Sequence, residues 1–161
     1  GEITMNKEEF TRCVLEAESS LYRVAKSISV NESDCEDAVQ EAILTAYEKL
    51  GTLKKEKFFK TWLTRILINI CFRMAKKRKN VISFEDYMPD DISDSSGELS
   101  DIRDAVMSLP LKIRTVIVLY YIEGYSIEET GYMMKIPAGT VKSRLHKGRN
   151  LLREMLKDTD L

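Results

Sequence analysis

The segment from residue 134 to residue 153 carries six lysine or arginine side chains and one histidine, but no aspartate or glutamate. Exposed helices normally mix both signs of charge, so this bias indicates a ligand. Lysine and arginine bind the phosphates of duplex DNA, while serine, threonine and histidine reach base edges in the major groove. The side chains assigned to these contacts are Thr140, Lys142, Ser143, Arg144, His146, Lys147 and Arg149. The alternative is a solvated basic face without a ligand.

A helix over residues 138–156 must present these side chains. Its apolar residues recur at steps of four and three, which predicts one buried stripe made of Val141, Leu145, Gly148, Leu152 and Met155. Upstream, Ser126 and Glu129 form a capping box that predicts a short helix over 127–134. Two helices joined by about three residues indicate a helix-turn-helix. Two residues are predicted to lower the stability of this domain by about 1 kcal/mol each. Lys135 is a non-glycine residue in a turn that needs a left-handed backbone, and Gly131 lies inside the first helix.

Helical periodicity also dominates the rest of the chain, and no alternation of period two is long enough to predict a sheet. We therefore predict an all-α fold. A first helix is capped by Asn6, and a second by a box of Ser33 and Glu36, with Gly51 as its left-handed end. A third helix is expected over 58–79, and further helices follow residues 98 and 110. Phe59, Trp62, Ile66 and Ile70 share one stripe of the third helix, so we expect the two aromatic rings to pack in the core rather than stack on bases.

Charge divides the chain into three parts. Residues 1–80 have a net charge of +3, residues 81–101 have −7 with no cation, and residues 102–161 have +3. Serine, proline and glycine accompany the acidic part. We predict two small helical domains, 1–80 and 101–161, joined by an acidic linker over 81–100 that charge repulsion keeps extended. Its carboxylates are expected to enter a cationic channel of a partner, the alternative being a simple tether.

Several classes of protein are disfavoured by composition. No stretch of about 18 apolar residues and no signal peptide is present, so we expect a cytoplasmic protein without membrane insertion. Three scattered cysteines and one histidine provide neither a disulfide framework nor a metal site. We expect no cofactor. No paired nucleophile and base and no glycine-rich phosphate loop occurs, which argues against an enzyme.

Three segments resemble one family. Residues 126–156, SIEETGYMMKIPAGTVKSRLHKGRNLLREML, closely resemble region 4 of bacterial sigma factors of the extracytoplasmic-function (ECF) group. Residues 34–50, DCEDAVQEAILTAYEKL, resemble the region 2 helix that docks on RNA polymerase, and residues 59–70, FKTWLTRILINI, resemble the promoter-melting segment. Their order, with one linker, is typical of this minimal group.

The resemblance implies a subunit that binds core RNA polymerase and directs initiation by recognising the minus-thirty-five and minus-ten elements of promoter DNA. It implies an anti-sigma factor as a further partner. The polymerase-binding residues would be Asp37, Gln40 and Glu41, the alternative being a solvated acidic face. Contacts to the melted element are assigned to Lys54, Lys55, Arg65, Asn69, Arg73, Lys76 and Lys77.

Two features qualify this interpretation. Housekeeping sigma factors carry exposed aromatic residues for melting where this chain has Arg65 and Ile66, so melting by an aromatic wedge is not expected. An independent helix-turn-helix regulator is the main alternative to a sigma factor. That alternative explains residues 138–156 but not the polymerase-like helix at 34–50.

Overall fold

The computed structural model describes residues 5–29, 31–81 and 98–157. Within these ranges it is helical and has no strand, which confirms the all-α prediction. A π-helical turn, Val118–Ile122, follows α5, and 3-10 turns at Leu50–Thr52 and Glu56–Phe58 precede α3. The predicted linker falls almost entirely on residues 82–97, outside the described residues. The α-helices of the described part are α1 (Lys7–Ile28), α2 (Glu32–Glu48), α3 (Phe59–Val81), α4 (Glu98–Met107), α5 (Leu111–Ile117), α6 (Ile127–Met134) and α7 (Ala138–Leu156).

Helix α1 begins where its cap predicts. The side chain of Asn6 accepts a hydrogen bond from the backbone N–H of Glu9 at 2.9 Å, which satisfies one of the unpaired amides of the first turn. Its apolar residues follow the helical period and are buried against α2 and α3. Leu21 and Val24 are completely buried, and burying one such side chain contributes roughly 1.5–3 kcal/mol. The apolar face of α1 therefore forms part of the core of the N-terminal domain.

The predicted ends of α2 are wrong at both termini. Asn31, not Ser33, is the N-cap, and its side chain accepts from the N–H of Asp34 at 2.7 Å. Asparagine is at least as good a cap as serine, and its position two residues earlier adds half a helical turn. At the other end, the C-cap is Lys49, and Gly51 lies in the following 3-10 turn without a positive φ. The chain continues into that turn, so no left-handed residue is needed.

The buried face of α3 is wider than its predicted stripe. Phe59 and Ile70 are buried as expected, but Leu63, Leu67 and Cys71 are buried as well. Trp62 and Ile66 are only partly buried. The reason is that α3 packs against α1 and α2 on one side and against α6 on another. Phe59 contacts the ring of Phe10 edge to face at 5.6 Å between centroids, which agrees with its predicted place in the core.

The C-terminal domain is a small bundle in which α7 packs against α4, α5 and α6. A Cβ atom on Gly148 would lie 2.8 Å from Cγ1 and Cδ1 of Ile117, so glycine permits the close approach of α7 to α5. Gly124, two residues after the π turn, has a φ of +78°, a left-handed backbone conformation that glycine adopts without steric cost. Of the predicted stripe on α7, Val141, Leu145 and Gly148 are buried, and Leu152 is partly buried. Met155 is exposed, although its sulfur accepts a hydrogen bond from the hydroxyl of Ser108 at 3.2 Å.

The two domains are in direct contact. Helix α1 packs against α5 and the π turn, and α3 packs against α6. The sequence predicts two units joined by an extended acidic connector, and the described helices of the two units pack against each other. Burial of apolar side chains from both domains is continuous across the boundary between them.

Candidate nucleic-acid interface

The helix-turn-helix is built from local interactions. Ser126 and Glu129 form the complete capping box at the start of α6: the serine hydroxyl accepts from the N–H of Glu129 at 3.0 Å, and the glutamate carboxylate accepts from the N–H of Ser126 at 2.9 Å. Helix α6 ends at Lys135, whose backbone is left-handed with φ 60° and ψ 44°. Both features agree with the sequence-based prediction. They direct the chain into α7 after two residues.

Gly131 has a structural purpose that its sequence context does not reveal. A Cβ atom at this position would lie 2.8 Å from the carbonyl oxygen of Ile136 and 3.6 Å from Cγ2 of Val141. The N–H of Ile136 donates to the carbonyl of Gly131 at 3.0 Å, which holds the turn against α6. We predicted a stability cost from glycine inside a helix. The geometry shows that glycine permits the tight turn.

Helix α7 turns its cationic face away from the bundle. We use this name for Thr140, Lys142, Ser143, Arg144, His146, Lys147 and Arg149. Val141 and Leu145 anchor the opposite side of the helix in the core. Thr140 and Arg144 are partly buried, and the other members of the cationic face are exposed. The helix has 19 residues and is about 28 Å long at 1.5 Å per residue, a length and width that the major groove accommodates.

Within the described residues, no ion pair neutralises the lysines and arginines of this face. The ion pairs among the described residues involve other cations, namely Arg23, Lys26, Arg73 and Arg78. Neighbouring acidic side chains normally compensate cations on a folded surface. The uncompensated charge of α7 creates a positive potential that attracts a polyanion.

Hydrogen bonds along α7 hold four of its polar side chains. Arg153 donates to the amide oxygen of Asn150 at 3.1 Å, and the amide nitrogen of Asn150 lies 3.3 Å from Nε2 of His146. Arg149 donates to the hydroxyl of Tyr121 at 3.1 Å. The spacing of four from His146 predicts that Asn150 lies on the same face of the helix, but Asn150 is not among the side chains assigned to DNA contacts. Tyr121 could not be found in this way because it comes from the π turn.

A second set of polar residues lies on α3 and the loop before it. Lys54, Lys55, Asn69, Lys76 and Lys77 are exposed. The two other predicted members are engaged within the protein. Arg73 forms an ion pair with Glu41 of α2, and the guanidinium of Arg65 lies over the ring of Tyr132 on α6, 4.6 Å from its centroid.

The outer face of α2 combines acidic, amide and apolar side chains. Asp37 and Gln40 are exposed, whereas Glu41 is partly buried and paired with Arg73. Leu44, one turn beyond Gln40, has 65% of its surface exposed. Leu44 is not among the residues predicted to bind the polymerase. Its spacing of four from Gln40 places it on the same face of the helix, which was a usable signal. Exposed apolar surface next to charged groups is typical of a protein-binding face.

Comparison with known proteins agrees with this architecture. Residues 14–81 match the model of Sigma-70 region 2, and residues 99–152 match that of Sigma-70 region 4. The ECF RNA polymerase sigma factor SigW of Bacillus subtilis is 33% identical over 156 residues, which cover 86% of this chain and 83% of SigW. The ECF sigma factor SigM of Mycobacterium tuberculosis is 31% identical, with 84% of this chain and 71% of SigM covered.

A solved structure shows the same fold. The sigma factor RpoE of Bartonella quintana, in complex with the anti-sigma factor NepR, superimposes with a TM-score of 0.77 at 27% identity, covering 94% of this chain and 99% of that one. These similarities place the protein among transcription initiation factors with sigma regions 2 and 4. The chain belongs to the ECF RNA polymerase sigma factors.

The protein therefore takes part in promoter-specific transcription initiation, acting with RNA polymerase on promoter DNA, as its sequence predicted. In the part of the chain that the structure describes, no helix has the length and apolar character needed to cross a membrane.

Proposed function

We propose that the cationic face of α7 binds the minus-thirty-five element and that the polar residues of α3 and its preceding loop bind the melted minus-ten element. The observation that carries the proposal is the uncompensated positive charge of α7 on the outer helix of a helix-turn-helix. Lys142 and Lys147 contact phosphates, while Ser143 and His146 face base edges.

Transcription with core polymerase at several salt concentrations tests the assignment of α7. Lys147→Ala is expected to lower transcript yield by a few fold and to reduce the slope of binding against salt by about one, because one phosphate contact is lost. The matched control is Lys112→Ala, which removes an exposed lysine of α5 in the same domain. Identical salt dependence of the two variants would refute the groove assignment.

The contacts of α3 are tested at the step of DNA opening. The double variant Lys76→Ala with Lys77→Ala is expected to reduce permanganate reactivity of thymines in the minus-ten element, with less effect on polymerase binding. A double variant of Lys7 and Arg12, two exposed cations of α1, controls for net charge. Unchanged opening in the α3 variant would remove these lysines from the proposed site.

We assign the outer face of α2 to the polymerase. Charged and amide groups at Asp37, Gln40 and Glu41 fix orientation and speed association, and Leu44 supplies apolar area that becomes buried. Leu44→Ala is expected to weaken binding to core polymerase by about tenfold, and Asp37→Ala by less, as for a rim charge. Glu16→Ala, on the outer side of α1, serves as the control for Asp37→Ala. Binding equal to wild type in both α2 variants would contradict this assignment.

We further propose that the protein acts in the cytoplasm by binding alone, without catalysis, and that an anti-sigma factor inhibits it. The similarity to RpoE, solved in complex with NepR, supports the last point. The chain without core polymerase is expected to produce no RNA from nucleotides and promoter DNA. A purified candidate anti-sigma factor is expected to abolish transcription in proportion to its concentration. Full transcription with that factor bound would refute inhibition.

A further inference from the structure

An ion pair joins the two helices to which polymerase and promoter contacts are assigned. Arg73 of α3 donates from Nη2 to Oε1 of Glu41 on α2. The two helices pack directly on each other, and Ala42 and Cys71, close to the two charged residues along the chain, are completely buried. The backbones that carry Arg73 and Glu41 are therefore fixed, although the side chains are 63% and 43% exposed.

Arg73 lies within a row of exposed polar side chains on α3. Asn69 is one turn before it and Lys77 one turn after it, with Lys76 beside them, and all four side chains are exposed. Among the described residues, Nε and Nη1 of Arg73 have no hydrogen-bond partner. The guanidinium is thus held at one nitrogen and keeps donors for an acceptor outside the protein.

A second ion pair between the same helices provides a comparison. Nη2 of Arg78 on α3 lies 2.8 Å from Oδ2 of Asp34, which is about two turns before Glu41 on α2. Arg78 is not among the residues assigned to the melted element. The two pairs have the same charges and connect the same helices, but only Glu41 holds an arginine to which a promoter contact is assigned.

We propose that Glu41 is a positioning residue for promoter opening: it orients Arg73 so that the remaining donors of the guanidinium bind a phosphate of the unpaired strand in the minus-ten element. The proposal rests on the assignment of α3 to that element. An arginine side chain loses rotational freedom when a ligand orders it, and an anchor that orders it beforehand lowers this cost. The planar guanidinium presents donors in several fixed directions, so it binds a carboxylate and a phosphate together.

The same carboxylate has an opposite electrostatic effect. Glu41 places a negative charge beside Arg73, and this charge alone weakens the attraction of the guanidinium for phosphate. The sign of the effect of Glu41→Ala therefore separates the two roles: positioning predicts less promoter opening, and neutralisation predicts more. Exposed ion pairs contribute little to stability, so the variant is expected to remain folded.

Permanganate reactivity of thymines in the minus-ten element, measured with saturating core polymerase, tests the proposal. Binding of each variant to core polymerase is measured separately. Glu41→Ala is expected to lower opening by about threefold to tenfold, and Glu41→Gln by less, because its amide oxygen still accepts from Arg73. Arg73→Ala is expected to lower opening at least as much, and adding Glu41→Ala to it is expected to have no further effect. The matched control, Asp34→Ala, releases Arg78 and is expected to leave opening unchanged.

A charge-swapped variant separates positioning from a structural role. Glu41→Arg with Arg73→Glu restores the ion pair and is expected to keep the wild-type Tm, yet to open the promoter as poorly as Arg73→Ala, because the cation no longer lies on α3. Full opening in the swapped variant, or unchanged or increased opening in Glu41→Ala, overturns the positioning role. If Arg73→Ala alone opens poorly, the assignment of α3 stands. Wild-type opening in Arg73→Ala would remove Arg73 from the proposed site as well.

Discussion

Two glycines of the helix-turn-helix are expected to respond oppositely to the same substitution. Alanine in place of glycine favours a helix interior by about 0.8–1.0 kcal/mol. At Gly139, in the first turn of α7, an added Cβ meets no atom within 4 Å, so this gain is retained in part. At Gly131, the Cβ would approach the backbone oxygen of Ile136 to 2.8 Å. The backbone around this carbonyl oxygen must shift to make room for the added methyl group. Overpacking of this kind lowers the free energy of unfolding by about 1–3 kcal/mol.

The steric cost and the gain in helix propensity together predict a measurable difference in stability between the two alanine variants. We expect Gly131→Ala to lower the free energy of unfolding by about 1 kcal/mol, the steric cost minus the gain in helix propensity. We expect Gly139→Ala to raise it by about 0.5 kcal/mol. For a chain of this size, 1 kcal/mol shifts Tm by about 2–4 °C, so the two variants are expected to differ by about 3–6 °C.

Thermal unfolding followed by far-ultraviolet circular dichroism is the measurement, and Gly139→Ala is the internal control for the general effect of alanine. Amide hydrogen exchange in α6 and α7 locates the loss of stability in Gly131→Ala. If Gly131→Ala were as stable as Gly139→Ala, the close approach of the turn to α6 would not exist, and the structural reason given for this glycine would be wrong.

Three other predictions concern single side chains. Ser126→Ala removes the capping hydroxyl of α6 and is expected to cost about 1 kcal/mol, or 2–4 °C in Tm. Tyr121→Phe removes the hydrogen bond that holds Arg149 and is expected to lower transcription by about twofold, less than Arg149→Ala; an effect as large as that of Arg149→Ala would mean that Tyr121 contacts DNA itself. Burial raises the pKa of the Cys71 thiol to about 12, so at pH 8 the folded protein is expected to be alkylated at the partly exposed Cys13 and not at Cys71, and equal rates by mass spectrometry would contradict the burial.

The sequence predicted the elements whose signals are local. Helices α6 and α7 begin and end as predicted. A capping box, a left-handed turn residue and a proline lie within a few residues of both ends of α6 and of the start of α7. The start of α2 was misplaced because two capping residues, Asn31 and Ser33, lie close together and either is chemically suitable. Local pattern alone does not decide between them.

Features that depend on distant parts of the chain were not predictable. Trp62 and Ile66 fit an apolar stripe, but the actual buried face of α3 is set by its simultaneous packing on α1, α2 and α6. The contact of Glu123 with Arg23 joins residues 100 positions apart, and no spacing rule connects them. The assignments of α7, α3 and α2 residues to DNA and polymerase remain predictions that depend on the experiments above.

The position of Trp62 gives the protein a built-in optical reporter. It is the single tryptophan of the chain, and it lies partly buried on α3, near Phe59 in the N-terminal domain. Its emission therefore follows the melting of that domain, whereas circular dichroism sums the helices of both. Thermal unfolding curves that coincide in tryptophan emission and circular dichroism would mean that the two domains melt cooperatively. Different midpoints in the two signals would show that the domains are weakly coupled.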